Sequence, residues 1–148
     1  MAVRTVTKKP RADSQISGLA GEFFVAAELL KREIQTSVTF GNAKAIDLFA
    51  RNPRTGRTFT VQVKALRSKA SYPFPISPDR VVREHMYVFV LLNKPAQPVQ
   101  YFIVPGSVLL DEPHRFGRWY TDPKFSGVRP DDLRDFENNW GAFEEAGL

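Results

Sequence analysis

The constraint that most limits this chain is a pair of short apolar runs, Ala45-Ile46-Asp47-Leu48 and Val61-Gln62-Val63-Lys64, flanking a Pro-Arg-Thr-Gly turn. Two such runs around a Pro/Gly turn read as a β-hairpin. Side chains alternate between the faces of a strand, so Gln62 and Lys64 must share one face. With Asn52 to Arg57 as the connecting loop, Arg51 falls against Thr58, Phe49 against Thr60 and Asp47 against Gln62. Paired residues have Cβ atoms roughly 4.5–5.5 Å apart, near enough to share one metal ion or one water. Strands this apolar are ordinarily Val and Ile on both faces when buried. An acid, an amide and a lysine in that setting mark a candidate site. Taken alone, the pair fits a cross-strand hydrogen bond beside a solvated lysine equally well.

At 148 residues the chain fits one domain that can bury a single core without staples. It contains no cysteine, which excludes disulfides and thiolate zinc sites. The longest apolar run, Met86 to Leu92, is strand-sized, and no run reaches the length of a membrane span. Residues 1–13 lack the apolar stretch of a signal peptide. A cytoplasmic protein without membrane association is the expectation. The net charge of +5 favours polyanionic partners. Arg4, Lys8, Lys9 and Arg11 form a basic arm, Arg51, Arg54, Arg57, Lys64, Arg67 and Lys69 follow in and around the hairpin, and acids collect from Asp131 to Glu145.

Along the chain, residues 1–13 read as a disordered arm and 14–148 as a single domain. Ser14 is a candidate N-cap for a helix from Gln15 to Ile34. Ile16, Leu19, Ala20, Phe23, Ala27, Leu30 and Ile34 follow one helical face, and Phe24, Val25, Ala26 and Leu29 make the opposite side nearly as apolar. A helix apolar nearly all round is expected to be buried. Glu22 stands within it at the edge of the core face, and Gly18 and Gly21 allow other backbone to come close. Thr36 to Phe40 reads as a strand and Gly41 to Lys44 as a turn. Arg67 to Pro78 reads as irregular loop, Pro78 to Glu84 as a short helix capped by Ser77, and Met86 to Leu92 as a central strand. Val99 to Val104 is a further strand, Pro105 a helix N1 proline ahead of Gly106 to Leu110, and Asp111 to Val128 a loop. A last helix from Pro130 buries Leu133, Phe136, Trp140 and Phe143. This order predicts an α/β fold, a central mixed sheet flanked by helices.

Asp47 is an anionic oxygen ligand for a hard cation, the Gln62 carbonyl a neutral one, and the Val63 backbone carbonyl lies between them. Lys64 is suited to act on an attacking water or on charge building at a phosphate. Glu22 adds a second acid. Gly-x-x-Gly-Glu on a helix, an Ile-Asp-Leu strand and a strand ending Val-Gln-Val-Lys together resemble the PD-(D/E)XK nuclease superfamily, over roughly Ile16 to Leu66. The Gln-x-Lys variant, with Gln62 in place of the second acid, is similar to Mrr-like enzymes; Holliday-junction resolvases share the fold. The resemblance implies a magnesium-dependent nuclease, manganese able to substitute, with Glu22, Asp47, Gln62 and Lys64 catalytic. It implies DNA as partner and suggests a homodimer. Lys8, Lys9, Arg11, Arg67 and Lys69 are candidate nucleic-acid contacts. The rival reading is a nuclease-fold protein that has lost catalysis and binds nucleic acid or a protein partner. His85 and His114 have no partner at ligand spacing and read as structural or surface residues. Arg115, Arg118, Trp119 and Tyr120 could contact phosphates and bases, though the two aromatics fit a satellite core better.

Overall fold

The computed structural model describes residues 11–39, 46–69 and 73–145. Lys8 and Lys9, and the turn expected over Gly41 to Lys44, lie outside the described residues. Helix α1 spans Arg11–Lys31, beginning inside the segment expected to be an unstructured arm and ending a turn before Ile34. A five-stranded sheet follows from β1 (Gln35–Val38), β2 (Leu48–Arg51), β3 (Thr58–Leu66), β5 (His85–Leu91) and β6 (Gln100–Pro105), in the order β1-β2-β3-β5-β6. Its pairs are antiparallel except β3 with β5, which is parallel, so the sheet is mixed as expected. Sheet and helices together make a single α/β domain.

The segment between β3 and β5 is less irregular than its composition suggests. Phe74–Pro75 forms β4, which pairs with β7 (Gly127–Val128) in a small second sheet. Pro78–Arg80 is one 3-10 turn and not a helix to Glu84, and the Ser77 side chain does not cap it. Pro105 is the N-cap of α2 (Gly106–Asp111), one position before the expected N1. The expected loop after it holds a 3-10 stretch at Pro113–Phe116 and α3 (Arg118–Thr121). The last expected helix is instead two 3-10 stretches, Pro130–Phe136 and Trp140–Glu144. Leu133, Phe136, Trp140 and Phe143 are all buried nonetheless.

Strand alternation divides the core in two. Phe59, Val61, Val88, Val90 and Ile103 pack with α1 on one face. Leu66, Tyr87, Phe89, Leu91, Phe102 and Val104 pack with Phe74, Leu109, Phe116 and Tyr120 on the other. The Tyr120 hydroxyl donates to the Leu109 carbonyl at 2.9 Å, so this residue belongs to the second core. Half-buried Trp119 stacks on Phe125.

The helix face nearest the sheet differs from the longest apolar stripe. Ser17, Gly21, Val25, Ala26 and Leu29 are buried, whereas Ile16, Leu19, Phe23, Phe24 and Leu30 are 44–57% exposed. The sheet covers one side of α1 only, and the small residues take that side because the approach is close. An added Cβ on Gly21 would sit 2.8 Å from the Ala65 Cβ and 3.3 Å from Val63 Cγ1, while one on Gly18 meets nothing within 4 Å. Of the two glycines, only Gly21 is required by packing.

The two positions therefore respond oppositely to substitution. Gly21→Val should destabilise by about 2–3 kcal/mol through overpacking, whereas Gly18→Ala should stabilise by about 0.5–1 kcal/mol through helix propensity. Urea unfolding of both variants checks this, and equal destabilisation would contradict the close contact at Gly21.

Candidate active site

The hairpin register is the one expected from the sequence as far as the ladder runs: Arg51 pairs with Thr58, Phe49 with Thr60 and Leu48 with Val61. It stops there. Asp47 is not a ladder partner of Gln62: its N–H donates to the Val61 carbonyl at 2.9 Å, and its Oδ2 accepts the Val63 N–H at 2.7 Å. The carboxylate thus occupies the place where the next ladder carbonyl would lie. Among the described residues, β3 beyond Val61 has only β5 as a strand partner. In a strand the N–H and C=O of one residue point to the same edge. The Val63 carbonyl therefore emerges on the edge that Asp47 occupies.

Three sets of groups converge on this interruption. Val63 and Ala65 face α1, where Gly21 rests on them and half-buried Glu22 comes next in the chain. Gln62 and Lys64 point to the opposite face. There they line a cleft of about 690 Å³ with Tyr87, Arg80 and the Pro75–Ser77 segment. Asp47 lies at the edge between the two faces. The structure also adds groups that the sequence alone did not single out. The parallel β3–β5 register sets Thr60 beside His85 and Gln62 beside Tyr87. The buried His85 ring shares a 2.7 Å hydrogen bond between Nδ1 and Thr60 Oγ1. The Tyr87 hydroxyl accepts the Val82 N–H at 2.8 Å, fixing the segment that leads from Arg80. Period-two alternation could have grouped His85 with Tyr87. Nothing local could have matched them to Thr60 and Gln62.

The charges at this point are mutually dependent. Burial, aided by the negative charge of Asp47, pushes the Glu22 carboxyl up to about 7. Burial raises Asp47 too, against the Val63 hydrogen bond and the positive charges of Lys64 and His85. Burial lowers Lys64, opposed by Asp47 and reinforced by Arg80. Burial also lowers His85. Two carboxylates whose burial disfavours ionisation, one of them further opposed by the other's charge, are a setting that a cation relieves. Among the described residues no three His, Cys, Asp or Glu side chains are grouped to hold a metal ion. The oxygen groups that could hold a hard cation here are the Glu22 and Asp47 carboxylates and the Gln62 and Val63 carbonyls.

Other sequence candidates lie elsewhere. Arg67 borders a separate hollow with Ala20, Phe24 and Asn93. Lys69 pairs with Asp131 at 3.0 Å, both side chains well exposed. Arg54 is held by Glu144 at 2.6 Å, and Arg57 lies over the Phe59 ring. The basic hairpin end thus secures the acidic C-terminal segment, roughly 13 Å along β2 from Asp47. His114 is exposed.

Glu22 gives the site a pH signature. Its carboxyl holds a proton more tightly in the folded chain, so the folded state binds more protons between 4.5 and about 7. Stability then falls as pH rises through that window. In chelator, Glu22→Gln should leave the melting temperature near pH 4 unchanged. At pH 8 it should raise it by about 2–4 °C, a figure already reduced for solvent screening. Magnesium at pH 8 should raise the wild-type melting temperature. Calorimetry at the two pH values checks this, and an identical shift at both would remove the coupling.

No protein-family model matches the chain, and no curated protein matches it. Among solved structures, a bacterial homing endonuclease, I-Ssp6803I, is similar at 14% identity with a TM-score of 0.45, over 90% of this chain and 99% of that one.

Proposed function

We propose that the protein is a magnesium-dependent nuclease that hydrolyses DNA phosphodiester bonds, with manganese able to substitute. The supporting observation is the interrupted ladder at Asp47 and Val63, with Glu22 near enough to feel the Asp47 charge and Lys64 lining the adjacent cleft. Asp47 Oδ2 is fixed by the Val63 N–H; Oδ1, the Val63 carbonyl, the Gln62 amide oxygen and the Glu22 carboxylate are the groups that would hold the cation. Bound magnesium would polarise the phosphate and lower the pKa of a water. The chain's own groups do the positioning. Lys64 sets its Nζ against the phosphate oxygens, where negative charge grows as water adds to phosphorus and the bond to the sugar oxygen breaks. Tyr87 and the Pro75–Ser77 segment restrict water on the cleft side.

Gln62, standing where a second acid would be, also favours one other reading, a nuclease-fold protein that no longer cleaves and only binds nucleic acid or a protein partner. Metal linkage separates them, because a ligand that binds only the folded state raises its stability. A degenerate binder would show no such rise with magnesium.

Asp47→Asn should lower metal-dependent cleavage of plasmid DNA by at least about 100-fold while preserving the circular-dichroism spectrum. Full activity in that variant would remove Asp47 from the site. Lys64→Ala should reduce turnover by a similar factor with little change in manganese affinity. Gln62→Glu adds a negative charge to the shell and should tighten manganese binding in a calorimetric titration. Equal affinities would make Gln62 a cleft residue only.

A further inference from the structure

Arg80 has no place in the reaction just described, yet it borders the same cleft of about 690 Å³ as Lys64 and Gln62. It is exposed and is carried on a braced turn. Its N–H donates to the Ser77 carbonyl at 3.0 Å, and the Ile76 N–H donates to the Ser126 carbonyl at 3.0 Å on the β7 side. Val82 is tied to the Tyr87 hydroxyl, and Arg83 makes two 2.9 Å bonds to Asp111. Many arginines of this chain are neutralised: Arg32, Arg54, Arg83, Arg115 and Arg129 each have a carboxylate within ion-pair distance. Arg80 has none among the described residues. The neighbouring Asp79 is bonded to Ser77 and its own backbone; it feels the Arg80 charge but is not at ion-pair distance from it. No Asp or Glu among the described residues lines the cleft.

The charge across the site therefore runs in one direction. Glu22 and Asp47 stand at the sheet edge, Lys64 follows, and Arg80 stands on the far wall. Lys64 and Arg80 place two cations on one cleft, and a polyanion that enters it can satisfy both. A guanidinium presents a planar fork that grips a phosphate through two parallel bonds. Because the turn is braced at both ends, little freedom is lost when it does so.

We infer that Arg80, across the cleft from Lys64, binds the backbone phosphate of the nucleic acid next to the one that is cleaved, fixing which way the strand crosses the cleft. This deepens the nuclease reading and rests on it for the identity of the ligand. Arg80 is then a substrate-binding residue and leaves the chemistry to the sheet edge.

The test compares wild type, Arg80→Gln and Arg80→Lys binding a double-stranded oligonucleotide over a range of salt, with calcium replacing magnesium. Cleavage is measured separately in magnesium, and pyrophosphate binding by NMR of the arginine Nε–H signals. Arg80→Gln should bind the oligonucleotide about tenfold more weakly and flatten the log–log salt slope by about 0.9, the value for one duplex phosphate contact. In cleavage, KM should rise by a similar factor while kcat stays within about threefold. Arg80→Lys should restore the slope and only part of the affinity, since it keeps the charge and loses the fork. Unchanged affinity and slope in Arg80→Gln, at an unchanged melting temperature, would overturn the inference while leaving the nuclease reading intact. Loss confined to kcat would overturn it too, by moving Arg80 into the chemical step. If wild type bound no oligonucleotide but took up pyrophosphate through Arg80, the phosphate site would stand and the nuclease reading would fall. Binding of neither would dismiss both.

Discussion

Gly21 lets helix α1 rest directly on β3, with the missing side chain's place taken by Ala65 and Val63. That contact fixes the height of the helix above the sheet and its rotation about its own axis. Rotation decides which of two apolar sides is buried, and the smaller side is chosen because the gap is narrow. Val25, Ala26 and Leu29 go inward, and Phe23 and Phe24 turn outward. Glu22 follows Gly21 in the chain, so the same contact carries a carboxylate to the sheet beside Asp47. A larger residue at position 21 would displace the helix and the acid together.

The second constraint is the early end of β2. A continued ladder would have given Val63 an ordinary backbone partner and left Asp47 as one more outward side chain. The strand stops at Leu48, and the Asp47 carboxylate accepts the Val63 N–H in place of a carbonyl. An interruption of this kind does two things at once. It satisfies a buried donor that would be costly to leave unpaired, and it opens a gap through which groups from both faces of the sheet can meet. Alternation along β3 then distributes the roles, with Val63 and Ala65 under the helix and Gln62 and Lys64 in the cleft.

The cleft itself owes its shape to the connection between β3 and β5. A parallel pair needs a long crossover, and here it supplies β4, the 3-10 turn at Pro78–Arg80 and the lead-in to β5. These pieces make one wall of the hollow above Gln62 and Lys64, anchored to β7 from much later in the chain. The crossover that the topology demands is thus also the part that brings Arg80 to face Lys64.

Much of this was legible in residues taken a few at a time. Alternation of apolar and polar positions in Val61-Gln62-Val63-Lys64 put Gln62 and Lys64 on one face, and the Pro-Arg-Thr-Gly turn set the hairpin register through Leu48 and Val61. The strand expected over Met86 to Leu92 from its unbroken apolar run forms over His85–Leu91, one residue earlier. These features are local, because backbone pleat and turn chemistry act over a few residues. Other features were decided only by the tertiary structure. Two apolar stripes on α1 are equivalent until a sheet of definite curvature and side-chain size selects one. The Asp47–Val63 hydrogen bond exists because β2 ends where it does, which pairing with β1 and β3 together determines. The partnership of His85 with Thr60, and the approach of Arg80 to Lys64, depend on a parallel register between segments separated by a crossover. No local pattern encodes that register, since it is fixed by how the packed faces of the whole domain fit.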